Sequence, residues 1–378
     1  MVKEKISNIG ICLTLYYIMN SMFLGIGLYN MFTLSKEATF ICVIVGSIIG
    51  IIPIKLYMYL FKNGDSRNIF KLNLNLFGKI LGNIINFSLT ILALFIAVMV
   101  LYSLTTFLNL NYLVLTNKIY IGVLIIIPVI YALSKGIGTI TKVAQILIYT
   151  SIICYLIALI GLSSKIEIDN IFPLFTAGIS RYAYSVLTYI SFNTAPLFLM
   201  LCISSNDVLE KEKLEKNIFK IYFISSIMIF LMFFIILAGL GYPVVSILKY
   251  PEFLILKEIS LLGIIERVEN IVSIYFIFSM IITIMVCVYY AFNNLNNYSE
   301  NKIYKKSLVY ILPLLVLFIS LICFKNITVS TTFNLTYLPL IIGIGAIGTH
   351  LIIAIRLLIH NILNKKLNKK IYDKKLQS

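Results

Sequence analysis

The sequence predicts an all-α integral membrane protein of about ten transmembrane helices, set out as a 5+5 inverted repeat with broken first and sixth helices. Three observations carry this: an excess of apolar residues, long uncharged runs punctuated by short charged loops, and polar interruptions at matching places in two runs. The 378 residues are 60% hydrophobic and 12% charged, with a mean hydropathy of +1.00. A soluble domain is about 25% charged, so half the polar surface it would need is missing. The net charge of +16 sits in short loops and the tail, not in a separate basic domain. That distribution suits anionic lipid and argues against nucleic acid. Cys12, Cys42, Cys154, Cys202, Cys287 and Cys323 each lie inside an apolar run, form no CxxC pair and read as reduced, buried thiols.

The uncharged stretches are 6–35, 38–54, 80–117, 119–134, 143–164, 182–206, 221–248, 270–299, 307–324 and 326–355. A spanning helix needs roughly 20 mostly apolar residues, and these stretches reach or approach that length. The first is too long for a signal-peptide core and reads as a helix. The 38–54 run extends to Phe61 if Lys55 snorkels to the interface, and 119–134 is the shortest. Counting Lys and Arg in alternate connections gives 22 on one side and 8 on the other. This bias predicts that both termini are cytoplasmic, in agreement with an even number of spans. The external segment 241–266, with Gly241, Pro243 and Pro251, predicts an amphipathic stretch Phe253–Ile265 lying along the outer interface. The whole chain is read as one transmembrane domain: a first repeat over 1–162, a second over 179–361, and a basic cytoplasmic tail over 362–378.

Most spans are plain Ile/Leu/Phe helices, but two are not. The first carries Asn20 and Ser21 followed by Gly25-Ile26-Gly27; the sixth carries Ser191, Asn193 and Thr194 followed by Pro196. Both patterns weaken an α-helix at membrane depth, where unwound backbone is tolerated only beside protein or a water-lined cavity. Each interruption falls in the first helix of a five-helix group, the pattern of transporters with a central site. Freed N–H groups would attract a carboxylate and freed carbonyls a cation or ammonium. Small residues can also serve close helix packing alone.

The ligand-binding candidates are Asn20, Ser21, Gly25 and Gly27 of the first span, Thr105 of the third and Ser191, Asn193 and Thr194 of the sixth. Thr283, Cys287 and Tyr290 of the eighth complete the set. They suit a small zwitterion. The interiors of the first, sixth and eighth spans hold no Asp, Glu, Lys or Arg, which argues against proton coupling by these helices. Glu266, Arg267 and Glu269 open the eighth span and read either as a capped, ion-paired helix start or as an outer gate or subunit contact. Gly343-Ile344-Gly345-Ala346-Ile347-Gly348 matches GxGxxG, but no strand precedes it, so it reads as a packing face of the tenth span. His350 and His360 lack partners for a metal site. No cofactor is implied, and no nucleophile–base or metal constellation points to an enzyme.

Three stretches make the chain similar to the B subunit of spore nutrient-germinant receptors, a branch of the amino acid–polyamine–organocation transporter superfamily. They are Asn20-Ser21-Met22 with Gly25-Ile26-Gly27-Leu28; Asn170-Ile171-Phe172-Pro173 with Gly178 and Ile190-Ser191-Phe192; and Glu266-Arg267-Val268-Glu269 with Tyr289-Tyr290-Ala291-Phe292-Asn293. The resemblance implies a LeuT-like fold in the bacterial cell membrane or the spore inner membrane. It also implies a germinant-sensing role beside a receptor A subunit and a lipoprotein C subunit, with a small nutrient, an amino acid, as ligand. Two features depart from the family pattern: Ala195-Pro196 stands where an acidic residue is familiar, and Tyr29-Asn30-Met31-Phe32 replaces a Leu-Pro-Arg. The alternative is an autonomous amino acid permease with the same fold. The charged connector Asp207–Lys220 is the expected contact for a partner subunit.

Overall fold

The computed structural model describes residues 5–64, 68–163, 166–257 and 268–376. The first span is α1 (Asn8–Ser21), a π-helical turn Phe23–Gly27, and α2 (Leu28–Ser35). Lys36, with φ 51°, breaks the helix before α3 (Thr39–Ile49) and α4 (Ile51–Asn63) form the second. Then come α5 (Ile69–Asn111), α6 (Lys118–Lys135) and α7 (Ile137–Ser163). The sixth span is α8 (Ile179–Asn193) continued by a 3-10 segment Ala195–Cys202. It is followed by α9 (Lys211–Val245), α10 (Pro251–Lys257), α11 (Val268–Leu295) and α12 (Lys302–Ile322). The chain closes with α13 (Ile327–Thr336), α14 (Leu338–Gly343), a second π turn Ile344–Gly348, and α15 (Thr349–Leu376).

Among the described residues, nine helical segments are long and apolar enough to cross a membrane. The first of these, Asn8–Asn63, has 56 residues and would be roughly 80 Å long as one helix, against a hydrocarbon core of about 30 Å. It therefore fits two crossings, divided at Lys36, and the ten uncharged runs are accounted for. The shortest run became α6, whose Asn117 side chain caps the Ile119 amide. Large apolar side chains point outward along the shell, among them Ile48, Ile52, Ile84, Leu124, Ile127 and Phe318. In water such a surface would be a liability; in lipid it is the solvent-exposed face.

Three expectations are revised. Residues 326–355 do not form one span, because Asn326 caps a separate helix, α13, and the crossing segment begins at Leu338 with Pro339 in its first turn. The connector 207–220 is largely helical, since α9 already starts at Lys211. The segment after Tyr250 does not lie out along the interface: Pro251, Glu252, Phe253, Ile255 and Leu256 of α10 are buried against α11, α9 and α7. An apolar stripe looks the same in sequence whether lipid or protein covers it. Residues 258–267, including Glu266 and Arg267, lie outside the described residues.

The GxGxxG stretch packs as expected. A Cβ on Gly343 would lie 2.5 Å from Ser191 Oγ, and one on Gly345 would lie 3.2 Å from Leu92. Lys55 is exposed on α4, and all six cysteines are free.

Candidate ligand site at the helix breaks

The first break is centred on Gly25, whose φ of +77° places it in a region that L side chains rarely adopt. Space is as restrictive as the dihedral. A Cβ there would lie 2.9 Å from Tyr250 Cε1, 3.1 Å from Phe276 Cζ and 3.1 Å from Ser103 Oγ. Four elements thus converge on one backbone position: the α1–α2 turn, α5, α11 and the connector leading into α10. Aromatic rings close over it. Phe107 stacks on Phe276 with centroids 4.4 Å apart, and its edges meet Tyr250 at 5.1 Å and Phe253 at 5.7 Å. Polar atoms on these elements are buried without hydrogen-bond partners: Ser103 Oγ and Tyr250 OH beside Gly25, both carboxyl oxygens of Glu252 on α10, and Ser279 Oγ on α11.

The second break faces the first. Asn193 ends α8 and donates from Nδ2 to the Met19 carbonyl at 3.4 Å, while its Oδ1 has no partner. The released carbonyl of Ala195 is taken by Tyr57 OH at 3.0 Å, and that of Cys202 by Asn293 Nδ2 at 2.7 Å. The polar backbone exposed by unwinding is therefore answered by side chains from α4 and α11. On the lysine-rich side of this break, Tyr57, Phe198 and His350 pack ring to ring, with Phe198 in turn against Tyr290 and Tyr290 against Phe70.

Gly25 and Asn193 belong to this pair of breaks, with Gly27 packed against Phe23 and Phe192 just beyond. Tyr290 lies deeper, its OH buried and unpartnered. Cys287 is buried beside Cys202, and Thr283 donates back to Ser279 O at 2.9 Å. The others turn away. Asn20 donates to Tyr16 O and to Ser225 Oγ on α9, and Ser21 to Ile18 O. Thr105 approaches Gly122 of α6, with its own hydroxyl returned to the α5 backbone. Ser191 faces Gly343, and Thr194 meets Gly50 of the second span. Glu269 is buried, with one carboxyl oxygen unpartnered; on the same helix turn Ser273 receives the hydroxyl of Tyr112 at 2.7 Å.

On α5 it is Ser103, not Thr105, that borders Gly25, and Tyr250, Phe276 and Glu252, which the sequence reading did not include, lie beside it too. The signal for Glu252 was present: one carboxylate after Pro251, set among Tyr250, Phe253, Leu254, Ile255 and Leu256.

A family model described as "Spore germination protein" matches residues 10–329. The chain belongs to the spore germination permease family. No curated protein matches it by sequence. Among solved structures it is similar to one titled "Crystal structure of MhsT in complex with L-phenylalanine", with a TM-score of 0.58 and 15% identity. That likeness covers 94% of this chain and 89% of MhsT, and it shows a LeuT-like fold. A germination permease of this kind is a multi-pass, transporter-like membrane protein.

Proposed function

We propose that this chain is the germinant-sensing subunit of a spore receptor, binding a small amino acid at the Gly25 break and signalling to partner subunits. The observation that carries the reading is the set of buried, unpartnered polar atoms gathered around a positive-φ glycine. Burying such groups is costly unless something satisfies them, and a small polar ligand would do so. That the MhsT structure is a complex with L-phenylalanine supports an amino acid as the ligand class. In this reading both termini are cytoplasmic, the membrane is the spore inner membrane, and the receptor A and lipoprotein C subunits are the partners. The charged start of α9, with its Lys213–Glu210 pair, is their docking surface.

Sensing requires that the ligand favour one of two conformations by differential affinity. The test is thermal stabilisation of the purified protein by a panel of amino acids, comparing wild type with Gly25→Leu. A ligand-specific shift present in wild type and absent in the mutant is expected; no shift with any amino acid would reject the site. A second reading, an autonomous permease, is favoured by the fold shared with a transporter. It predicts accumulation of the stabilising amino acid in vesicles holding this chain alone, which sensing does not require.

A further inference from the structure

The acidic group that is missing from the first, sixth and eighth spans arrives from outside them. α10 carries Glu252 to the Gly25 break, where the residue is 5% exposed and neither carboxyl oxygen has a hydrogen-bond partner. The nearest favourable groups are backbone amides, its own and that of Gly25, and neither meets hydrogen-bond geometry. Among the described residues no lysine or arginine forms an ion pair with it. Tyr250 and Ser103, whose hydroxyls are also buried and unpartnered, border the same Gly25 position.

We propose that Glu252 is the charged anchor of this site, exchanging its own proton for the ammonium group of a small amine-bearing ligand. The inference rests on the ligand site proposed above and adds the recognition of one end of the ligand. The step balances. A neutral carboxyl meets R–NH3+, the proton leaves to solvent, and a carboxylate–ammonium pair remains, so the buried charges arrive together. A lone carboxylate there would be uncompensated, which is why the empty site favours the neutral acid.

The groups around it agree. Burial pushes the Glu252 carboxyl up to about 8. From its own connector come Tyr250 and Lys249, the latter pushed down to about 8 by burial and by Lys118. α5 contributes Tyr102, which neighbours Tyr250. The stretch 143–163 of α7 and residues 221–245 of α9 carry no Lys, Arg, Asp or Glu, and Lys257 at the end of α10 is exposed. Among the described residues no lysine or arginine forms an ion pair with the carboxylate.

The sign follows from the exchange. Because binding releases a proton, affinity rises about tenfold per pH unit while Glu252 is neutral and levels off above its pKa. The experiment is calorimetric titration of the full chain in lipid nanodiscs at pH 6, 7 and 8. The probes are L-alanine, L-leucine and L-phenylalanine, each beside its deaminated acid (propanoate, 4-methylpentanoate, 3-phenylpropanoate). Two buffers of different ionisation enthalpy count the protons released. Wild type is expected to bind an amino acid and not its deaminated partner, to gain about tenfold from pH 6 to 7, and to release close to one proton at pH 7. Glu252→Gln is expected to bind at least about tenfold more weakly with no proton release, and Glu252→Asp to restore part of both. Equal affinity and equal proton release in Glu252→Gln would overturn the anchor and leave the site standing. Failure of every probe on wild type would overturn both. Melting of the ligand-free chain gives a separate check on the empty state. Wild type should lose stability relative to Glu252→Gln as pH rises from about 5 to about 8, and parallel profiles would overturn the neutral acid.

Discussion

Over the Gly25 break the covering groups are aromatic rings with idle polar atoms, whereas below the sixth helix directed side-chain hydrogen bonds hold the backbone, even though Tyr290 OH, His350 Nε2 and Asn73 Oδ1 have no partner there. On the first side, Phe107, Tyr250, Phe253 and Phe276 touch through ring faces and edges, while Tyr250 OH and Ser103 Oγ bond to nothing. On the second, Tyr57 and Asn293 hold the unwound carbonyls, and an asparagine ladder continues the seal. Asn73 donates to Asn86 Oδ1 at 2.8 Å, Asn86 to Phe70 O at 3.0 Å, and Asn294 to Thr90 Oγ1 at 2.8 Å. Arg356 Nε adds a bond to Leu76 O at 3.2 Å, tying α15 to the first turns of α5. Ring contacts are worth about 0.5–1.5 kcal/mol each and tolerate sliding; directed hydrogen bonds specify one geometry. The ring-covered side is thus the more readily rearranged of the two, and under the proposed function it is the side that would open for a ligand.

The largest expected effect breaks the ring-covered side. Gly25→Ala adds a Cβ in a backbone region that costs an L residue about 1–2 kcal/mol and presses it into the Tyr250 ring. Its melting temperature should fall, and stabilisation by the amino acid ligand should vanish; unchanged ligand response would mean the break is not the site. Next comes the stitched side. Asn86→Ala leaves Asn73 Nδ2 without a partner and takes from Phe70 O its side-chain donor, a loss of about 1–2 kcal/mol by membrane-protein standards. It should also make the lysine-rich end reachable by a membrane-impermeant thiol reagent, read at a cysteine introduced at Asn83. Labelling no faster than in wild type would show that the ladder serves stability alone.

Much of this contrast was legible in the sequence, for definable reasons. Spans and breaks are local: charge marks the ends of apolar runs, and Asn-Ser before GxG or Asn-Thr before Pro weakens a helix wherever it sits. The side of a helix that a residue faces is not local. Thr105 and Ser103 are two positions apart on α5, roughly 200° around the helix, and nothing in an uncharged stretch that also holds Tyr102 and Thr106 states which one looks at Gly25. Hence Thr105 was chosen where Ser103 belongs. Ser191 and Thr194 likewise read as site residues because they are polar, but Gly343 and Gly50 claim them as packing partners. Glu252 stood out in the sequence, but its place did not: α11, α9 and α7 bury its connector, and an apolar stripe reads the same whether lipid or protein covers it.

The smallest effect is also the sharpest test of the comparison, because one chemical change is made on each side. Tyr57→Phe removes the side-chain donor to Ala195 O, the tie between α4 and the start of the 3-10 segment. It should cost about 0.6–1.7 kcal/mol and raise thiol labelling from the lysine-rich end. Tyr250→Phe removes a hydroxyl that has no partner while keeping the ring that packs on Phe107. Deleting an unpaired buried hydroxyl is close to neutral or slightly stabilising, so its melting temperature should stay within about a degree or rise. Ligand affinity should nevertheless drop by a few-fold, because the hydroxyl becomes useful only when a polar ligand arrives beneath it. If Tyr250→Phe proved as destabilising as Tyr57→Phe, the ring-covered side would also be held by hydrogen bonds in the membrane. The two ends would then differ in shape and not in chemistry.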